Sequence, residues 1–594
     1  MELNKWRVYL DGVLLNNIPL GLNKFSREFV RDNELFGIYS VSSFDLTFIG
    51  DGYCLLKDFQ DNNSSCQKTI QVDRYCRNNW VTIFDGIIEV GSVEIDEENS
   101  HATCEIQDDS PLVLISRNSD ITIDLQTDKD IFGVSVIPAT FNGYVLGTPN
   151  TGIGYTSYGT TWDDAIRVLL EAITGVNVNV SSTYLNATPL PTIITLTYTG
   201  TLSNILDTTV VFTNFQGNTQ TVLADFNTGV SNFAETAQRM LSSTQYLDND
   251  AGIRNTVQFN DDYRNFYFTS YDLTAKTITL YSNLPITVDS VVVTSSGAPI
   301  TVAISETQAF VDGGNNPVLF NYPSLKNYTI YNFTTSFKDL MTFLNKEYNV
   351  YFIATYNNSG EIDFVIEDYN YFANATIDYT FSNAKNLKVT FDEESNAKEI
   401  NVGDSSNTTL ANSSYTFSAN FCGLGNTFDA KSDFIIGSVE IWNDLAASFV
   451  EGQEDKFYCI DGDGSMTAIQ WTNDNYLTLV KNTGFIYNLY LTNWHKIYRH
   501  LNKFRLNVIG VASYFDPDTI NYNINVTNTS TNRLFRKYEF SEQMTDTQFN
   551  NLSDVIIDKT QFKRASETTY RNGLIMSVQY DYESGKAELI ILGE

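Results

Sequence analysis

Histidine is nearly missing from this chain: only His101, His495 and His500 occur in 594 residues. Nucleophilic catalysis of the Ser/His/acid or Cys/His type needs an imidazole beside the nucleophile and an acid to orient it. His495 and His500 share one basic segment, His101 sits at a hairpin, and no Gly-x-Ser-x-Gly elbow is present. Gly-rich loops of the Walker or dinucleotide type are missing too. Cysteine is sparse: Cys54, Cys66, Cys76 and Cys104 cluster early, and Cys422 and Cys459 lie far away. None of these forms the close pairs of a zinc site, so buried reduced thiols are expected rather than a metal or a disulfide framework. No apolar run approaches the ~18 residues of a membrane-spanning helix. The N-terminus, Met1-Glu-Leu-Asn-Lys-Trp-Arg-Val-Tyr-Leu-Asp11, lacks the basic-then-apolar order of a signal peptide, so synthesis and folding in a cytoplasm are expected. On that reading, Asn-x-Ser/Thr triplets are chance products of an Asn-rich sequence.

Positive charge is also in deficit. Lys and Arg number 37 against 71 Asp and Glu, a formal net charge of −34. A folded surface this acidic repels nucleic acid and anionic membranes and resists aggregation. What the chain has in quantity is apolar and aromatic side chains, 42% and 13% of residues, among them 39 Phe and 35 Tyr. Several cores are therefore affordable in size, and wholesale disorder is excluded. Tyr and Phe beside many Thr and Asn residues are a composition of strands and turns. The expected class is mainly β with small α+β modules: a multidomain chain of β-barrel or sandwich domains plus short amphipathic helices. No reaction and no cofactor is legible, and a non-enzymatic role is expected. A glycosidase-type carboxylate pair is a spatial arrangement that sequence does not display.

At about 150 residues per domain the length corresponds to roughly four domains, and the patterns divide into six stretches. Residues 1–120 read as an N-terminal β domain. Trp6 to Leu10, Asp11-Gly12 and Val13 to Leu15 give a hairpin, because Asp-Gly adopts the φ > 0 turn. Ser43 to Ile49 alternates in period two and ends at Gly50-Asp-Gly52; Phe84 to Val90 and Ala102 to Ile106 flank an acidic turn at 96–100 and read as another hairpin. Residues 121–178 comprise a Gly-rich arm and a helix. The arm, 138–160, shows no periodicity and reads as a flexible connection or a segment that orders against a partner. The helix opens on Thr161-Trp-Asp-Asp164, a capping box, carries the stripe Trp162, Ala165, Ile166, Leu169, Leu170 and Ile173, and stops at Gly175.

Residues 179–320 form β-branched runs, Thr192 to Tyr198, Thr209 to Phe212, Thr277 to Tyr281 and Val291 to Thr294, with one helix near 232–243. They read as an inserted sandwich-like domain. Residues 321–400 hold a helix plus β-hairpin module. Ser336-Phe-Lys-Asp339 is a capping box; Phe337, Leu340, Met341, Leu344 and Tyr348 make one face. Val350 to Tyr356 and Ile362 to Glu367 are strands about the turn 357–360, with Ile362, Phe364 and Ile366 toward the helix. Residues 401–530 are a mixed β domain with a basic helix. Residues 531–594 are a C-terminal α+β module: Leu534 to Phe540, a helix capped by Thr545-Asp-Thr-Gln548, and strands Leu574 to Tyr580 and Lys586 to Leu592. No solenoid or propeller repeat is present.

Two acidic loops invite a metal reading. Asp461-Gly-Asp463-Gly464 lacks the Gly and Glu that an EF-hand needs at its sixth and twelfth positions, where Met466 and Thr472 stand. A tight turn accounts for it. Asp248, Asp250, Asp261 and Asp262 read as solvated turn acids. One segment opposes the acidic background: Trp494-His-Lys-Ile-Tyr-Arg-His-Leu-Asn-Lys503. On a helix, Trp494, Ile497, Tyr498 and Leu501 share one face, and Lys496, Arg499, His500 and Lys503 the other. Its plain reading is a solvated face; its functional reading is a cationic ridge. Trp494, Lys496, Arg499, His500 and Lys503 are therefore the candidate interface, toward an acidic neighbouring subunit before DNA.

The run Ser336-Phe-Lys-Asp-Leu-Met-Thr-Phe-Leu-Asn-Lys-Glu-Tyr-Asn-Val350, with its hairpin through Phe372, resembles a unit in tail structural proteins of phages infecting Bacteroidetes, including crAss-like phages. The block Tyr538-Glu-Phe-Ser541 through Gly573 to Asp581 and Gly585 to Leu589 resembles a second such unit. The resemblance implies a virion tail component, assembled in the host cytoplasm: a hub, ring or baseplate protein of hub type beside the portal. Its implied partners are further copies of itself, commonly six or twelve in a ring, and neighbouring tail and portal proteins. Phage DNA would pass through the channel without sequence-specific binding. The alternative class is a receptor- or glycan-binding tail protein or adhesin, with an aromatic groove in the 179–320 stretch; a glycan-degrading enzyme ranks third.

Overall fold

The structure, a computed structural model, describes residues 5–225, 268–320, 334–391 and 536–593 apart from short breaks, and between 399 and 528 a set of strands and residues 499–500. Strands dominate, and the chain is mainly β with small α+β modules, as its Tyr-, Phe- and Thr-rich composition requires.

An eleven-stranded sheet gathers segments from both ends of the chain. Its order is Val178–Ser181, Ile362–Asp368, Val350–Tyr356, Gly37–Val41, Ser26–Asp32, Arg571–Asp581, Lys586–Gly593, Arg536–Gln543 and Lys385–Phe391. Lys559–Phe562 joins Arg571–Asp581 antiparallel and carries Ile377–Phe381 on its other side. The central strand Val350–Tyr356 reads as a nearly continuous apolar run because both its faces are covered. Val350, Phe352 and Ala354 point into a core shared with two helices, Trp162–Thr174 and Phe337–Tyr348. Tyr351 and Ile353 point the other way, into a core shared with the N-terminal sheet. Where Val350–Tyr356 meets Gly37–Val41 in parallel, the Phe352 ring lies over Gly37: a Cβ built there would stand 2.0 Å from the ring. Glycine is the one residue that lets the backbone come this close.

The N-terminal sheet has seven strands, ordered Val13–Leu14, Trp6–Leu10, Gln67–Cys76, Asn79–Glu89, His101–Asp108 and Ser43–Ile49, with Glu94–Asp96 on His101–Asp108. The Asp11-Gly12 turn has φ of +51° and +78°, the two left-handed residues that Asp-Gly supplies. The acidic turn closes a different hairpin from the expected one: Glu94–Asp96 pairs with His101–Asp108, while Asn79–Glu89 pairs chiefly with Gln67–Cys76. A helix, Asp51–Asn63, follows Gly50 where the sequence shows the end of a strand. Its apolar stripe is thin, with Leu56 buried and Tyr53, Leu55 and Phe59 half-covered, so no 3.6-residue signal stands out. Of the cysteines described, Cys104 is buried, which pushes its thiol up to about 12, and Cys54 is an exposed free thiol.

Outside 148–153, the arm at 138–160 is structured. Asn142–Gly147 and Gly154–Thr161 form an antiparallel hairpin, and the second strand runs on to pair with Val318–Phe320. Glycines at 143, 147, 154 and 159 break up any period-two alternation in the sequence. The Trp162–Thr174 helix ends as expected on left-handed Gly175, φ +73°. Its start is a correction: the Thr161 hydroxyl accepts no capping bond. The incoming strand delivers the Trp162 N–H to the Pro317 carbonyl, and Asp164 accepts instead from the Thr140 N–H and from Arg167. The Phe337–Tyr348 helix keeps its cap. Ser336 accepts from the Asp339 N–H at 3.1 Å and donates to the Asp339 carboxylate at 2.7 Å.

Between Leu190 and Val311 two sheets share one core. Phe268–Asp272, Thr277–Ser282, Thr192–Thr199 and Thr301–Gln308 form one; Thr219–Asp225, Ile205–Thr213 and Thr287–Ser295 form the other. Ile194, Leu196, Tyr198, Val210, Phe212, Ile278 and Leu280 fill the space between them. The helix expected near 232–243 lies outside the described residues. Among the described residues, no helix is long and apolar enough to cross a membrane.

Candidate functional site

Of the five residues expected on the basic ridge, Arg499 and His500 are described, both helical, and Trp494, Lys496 and Lys503 lie outside the described residues. Arg499 and His500 point inward. His500 is 4% exposed, and its Nε2 lies 3.1 Å from the Lys346 carbonyl. Arg499 is half-buried against the Asp312 carboxylate in a two-pronged pair, Nε to Oδ2 at 3.1 Å and Nη2 to Oδ1 at 3.0 Å. Its Nη1 donates to the Glu347 carbonyl at 3.1 Å, and the guanidinium lies 4.9 Å from the centre of the Tyr348 ring. Asn349, left-handed at φ +54° after the helix, donates from Nδ2 to the Arg499 carbonyl.

The acid partner sits at the neck of the inserted domain. Leu190 and Val311 exchange backbone hydrogen bonds at 2.8 and 2.9 Å, where the chain enters and leaves the insertion. Just below, Tyr184 donates from its hydroxyl to Asp312 at 2.7 Å. Gly313 and Gly314 pass so close to Ala187 and Leu185 that a Cβ at either would stand 2.5 or 2.6 Å from their backbone atoms. The other leg is held by Glu367, buried in the sheet, whose carboxylate accepts from the Thr183 and Tyr184 N–H groups and the Thr183 hydroxyl. Residues 183–187, 312–314, 316, 347–349, 367 and 499 thus meet in one polar knot.

Burial pushes the Tyr184 hydroxyl well above the usual tyrosine range. For Arg499, burial opposes the charge, but the Asp312 carboxylate outweighs it and holds the guanidinium ionised. Both groups therefore keep fixed protonation states, which suits a clamp and not acid–base catalysis. Among the described residues no cluster of three His, Cys, Asp or Glu side chains is placed to hold a metal ion. The acidic loops at 248–262 and 461–464 lie outside them. Sequence reasoning marked Arg499 and missed Asp312, Tyr184 and Glu367.

No protein family and no curated protein matches the sequence. Among solved structures, the chain is similar to the 43 kDa tail protein of prophage MuSo2 from Shewanella oneidensis, at 8% identity and a TM-score of 0.33, covering 99% of this chain and 96% of that one. It is similar at the same values to a tail protein from Neisseria meningitidis. A prophage tail protein from Listeria monocytogenes gives 7% identity and a TM-score of 0.32 over 99% and 94% of the two chains. Likeness at this level is coarse, and the chemistry of the knot is read from its own residues.

Proposed function

We propose that this chain is a non-enzymatic structural component of a phage virion tail, a subunit of an oligomeric hub or ring around the DNA channel beside the portal. One observation supports this most. The two stretches that resemble tail modules both enter the same eleven-stranded sheet, Val350–Tyr356 and Ile362–Asp368 on one side and Arg536–Gln543, Arg571–Asp581 and Lys586–Gly593 on the other. In this reading the charge of −34 has a use. A lumen lined by carboxylates repels the phosphate backbone, so a genome slides past without the counterion release that would hold it. Lys496 and Lys503, with Trp494, are proposed to meet an acidic neighbouring subunit.

Mass photometry of the full chain at micromolar concentration, at low and high salt, tests the reading. A closed ring of six or twelve copies is the expected result. A stable trimer overturns it in favour of a receptor-binding spike.

A further inference from the structure

In a chain this acidic, the run from Ile131 to Trp162 carries no charged residue. Its first part, 130–140, is a strap laid along the Trp162–Thr174 helix. The Ile131 N–H donates to the Ala172 carbonyl, the Thr140 N–H to the Asp164 carboxylate, and both terminal nitrogens of Arg167 to the Ile137 carbonyl at 3.1 Å. Asp130, itself buried, accepts from the Phe132 and Val134 N–H groups and fixes the tip at Gly133, φ +84°. Val136 and Ala139 anchor the strap in the core. The remaining apolar side chains face out: Phe132 and Val134 are each 57% exposed and Ile137 73%, with Ile131 beside them. A strap pinned this firmly that shows solvent four large apolar side chains is a preformed docking knob.

A second uncharged run, Val13 to Asn23, does the same on the other core. Val13 and Leu14 form the two-residue edge strand of the N-terminal sheet, and Leu20 stands where the chain bridges to Thr47; all three are about half exposed. Two copies of a chain carrying −34 repel wherever charged faces meet. Close contact between copies is favoured where both surfaces are apolar and uncharged, the composition of an interface core. Two distinct patches on one chain make that contact heterologous, and such contacts close into rings when the rotation allows.

We propose that the strap Ile131, Phe132, Val134 and Ile137 docks onto the Val13, Leu14 and Leu20 patch of a second copy of this chain. The inference rests on the ring reading and names its contact. Two variants of the full chain test it, one with Phe132→Asp and Ile137→Asp, the other with Val13→Asp and Leu14→Asp, each checked for an unchanged far-UV spectrum and melting temperature.

By mass photometry at a concentration where the wild type assembles, each variant alone is expected to run as a monomer. Their equimolar mixture is expected to form a dimer and no larger species, because one intact contact survives in the mixed pair. A strap variant that assembles like the wild type overturns this contact and leaves the ring reading standing. A mixture that stays monomeric overturns the pairing of strap with hairpin. A wild type that stays monomeric up to the highest soluble concentration overturns the contact and the self-assembled ring together.

Discussion

At the scale of single residues, the Arg499–Asp312 pair ties together positions 187 residues apart. Both partners are largely covered, at 8% and 16% side-chain exposure. A buried pair gains little over a well-packed apolar substitute, but a half-pair leaves an uncompensated charge and costs about 3–5 kcal/mol. Arg499→Met should therefore destabilise the neck more than the double variant with Asp312→Leu, in which no charge is stranded. Hydrogen exchange at Gly314 and Asn316, whose N–H groups donate to the Tyr184 and Leu185 carbonyls, reports the neck directly. Faster exchange is expected in the single variant and partial recovery in the double. Equal loss in both would mean that the pair acts through shape alone.

Secondary-structure elements separate signals that stay local from those that depend on neighbours. The Phe337–Tyr348 helix was fully legible: Ser336 and Asp339 cap it, the expected stripe is buried, and left-handed Asn349 ends it. Ile362, Phe364 and Ile366 meet that helix as their alternation required, with the Phe337 and Phe364 rings 5.8 Å apart. Capping boxes, stripes and short hairpins are written within a dozen residues, so the sequence displays them. The Thr161 box has the same local pattern and fails, because Pro317, just ahead of the strand Val318–Phe320, supplies its carbonyl to the first N–H. The same holds for Gly37 under Phe352 and for Asp312 under Arg499: each depends on strand order, which no window of sequence contains. The two boxes make a paired test. Ser336→Ala should cost about 1 kcal/mol, the usual loss of a helix cap, while Thr161→Ala should be close to neutral. Thermal melts of both variants beside the wild type check the contrast, and equal losses would refute the assignment of caps.

For the molecule as a whole, the body is expected to fold without the two-sheet stretch between Leu190 and Val311. Leu190 and Val311 are hydrogen-bonded to one another at the neck, so their separation is already that of a turn. The insertion buries its own core: Leu196, Tyr198, Phe212, Ile278 and Leu280 pack among themselves and belong to neither of the other two cores. Residues that hold the neck, Tyr184, Asp312, Glu367 and Arg499, all lie on the body side. Deleting 191–310 and joining the ends with an Asn-Gly turn should thus leave the body folded. Loop closure argues the same way, since each doubling of a loop costs about 0.6 kcal/mol and the deletion replaces the whole of 191–310 with two residues. The expected result is a soluble variant with unchanged exchange protection across Val350–Tyr356 and Arg571–Asp581 and with the wild-type oligomeric state. Loss of protection in those strands would show that the insertion's core supports the main sheet, and the neck would then be a shared hinge rather than a stalk.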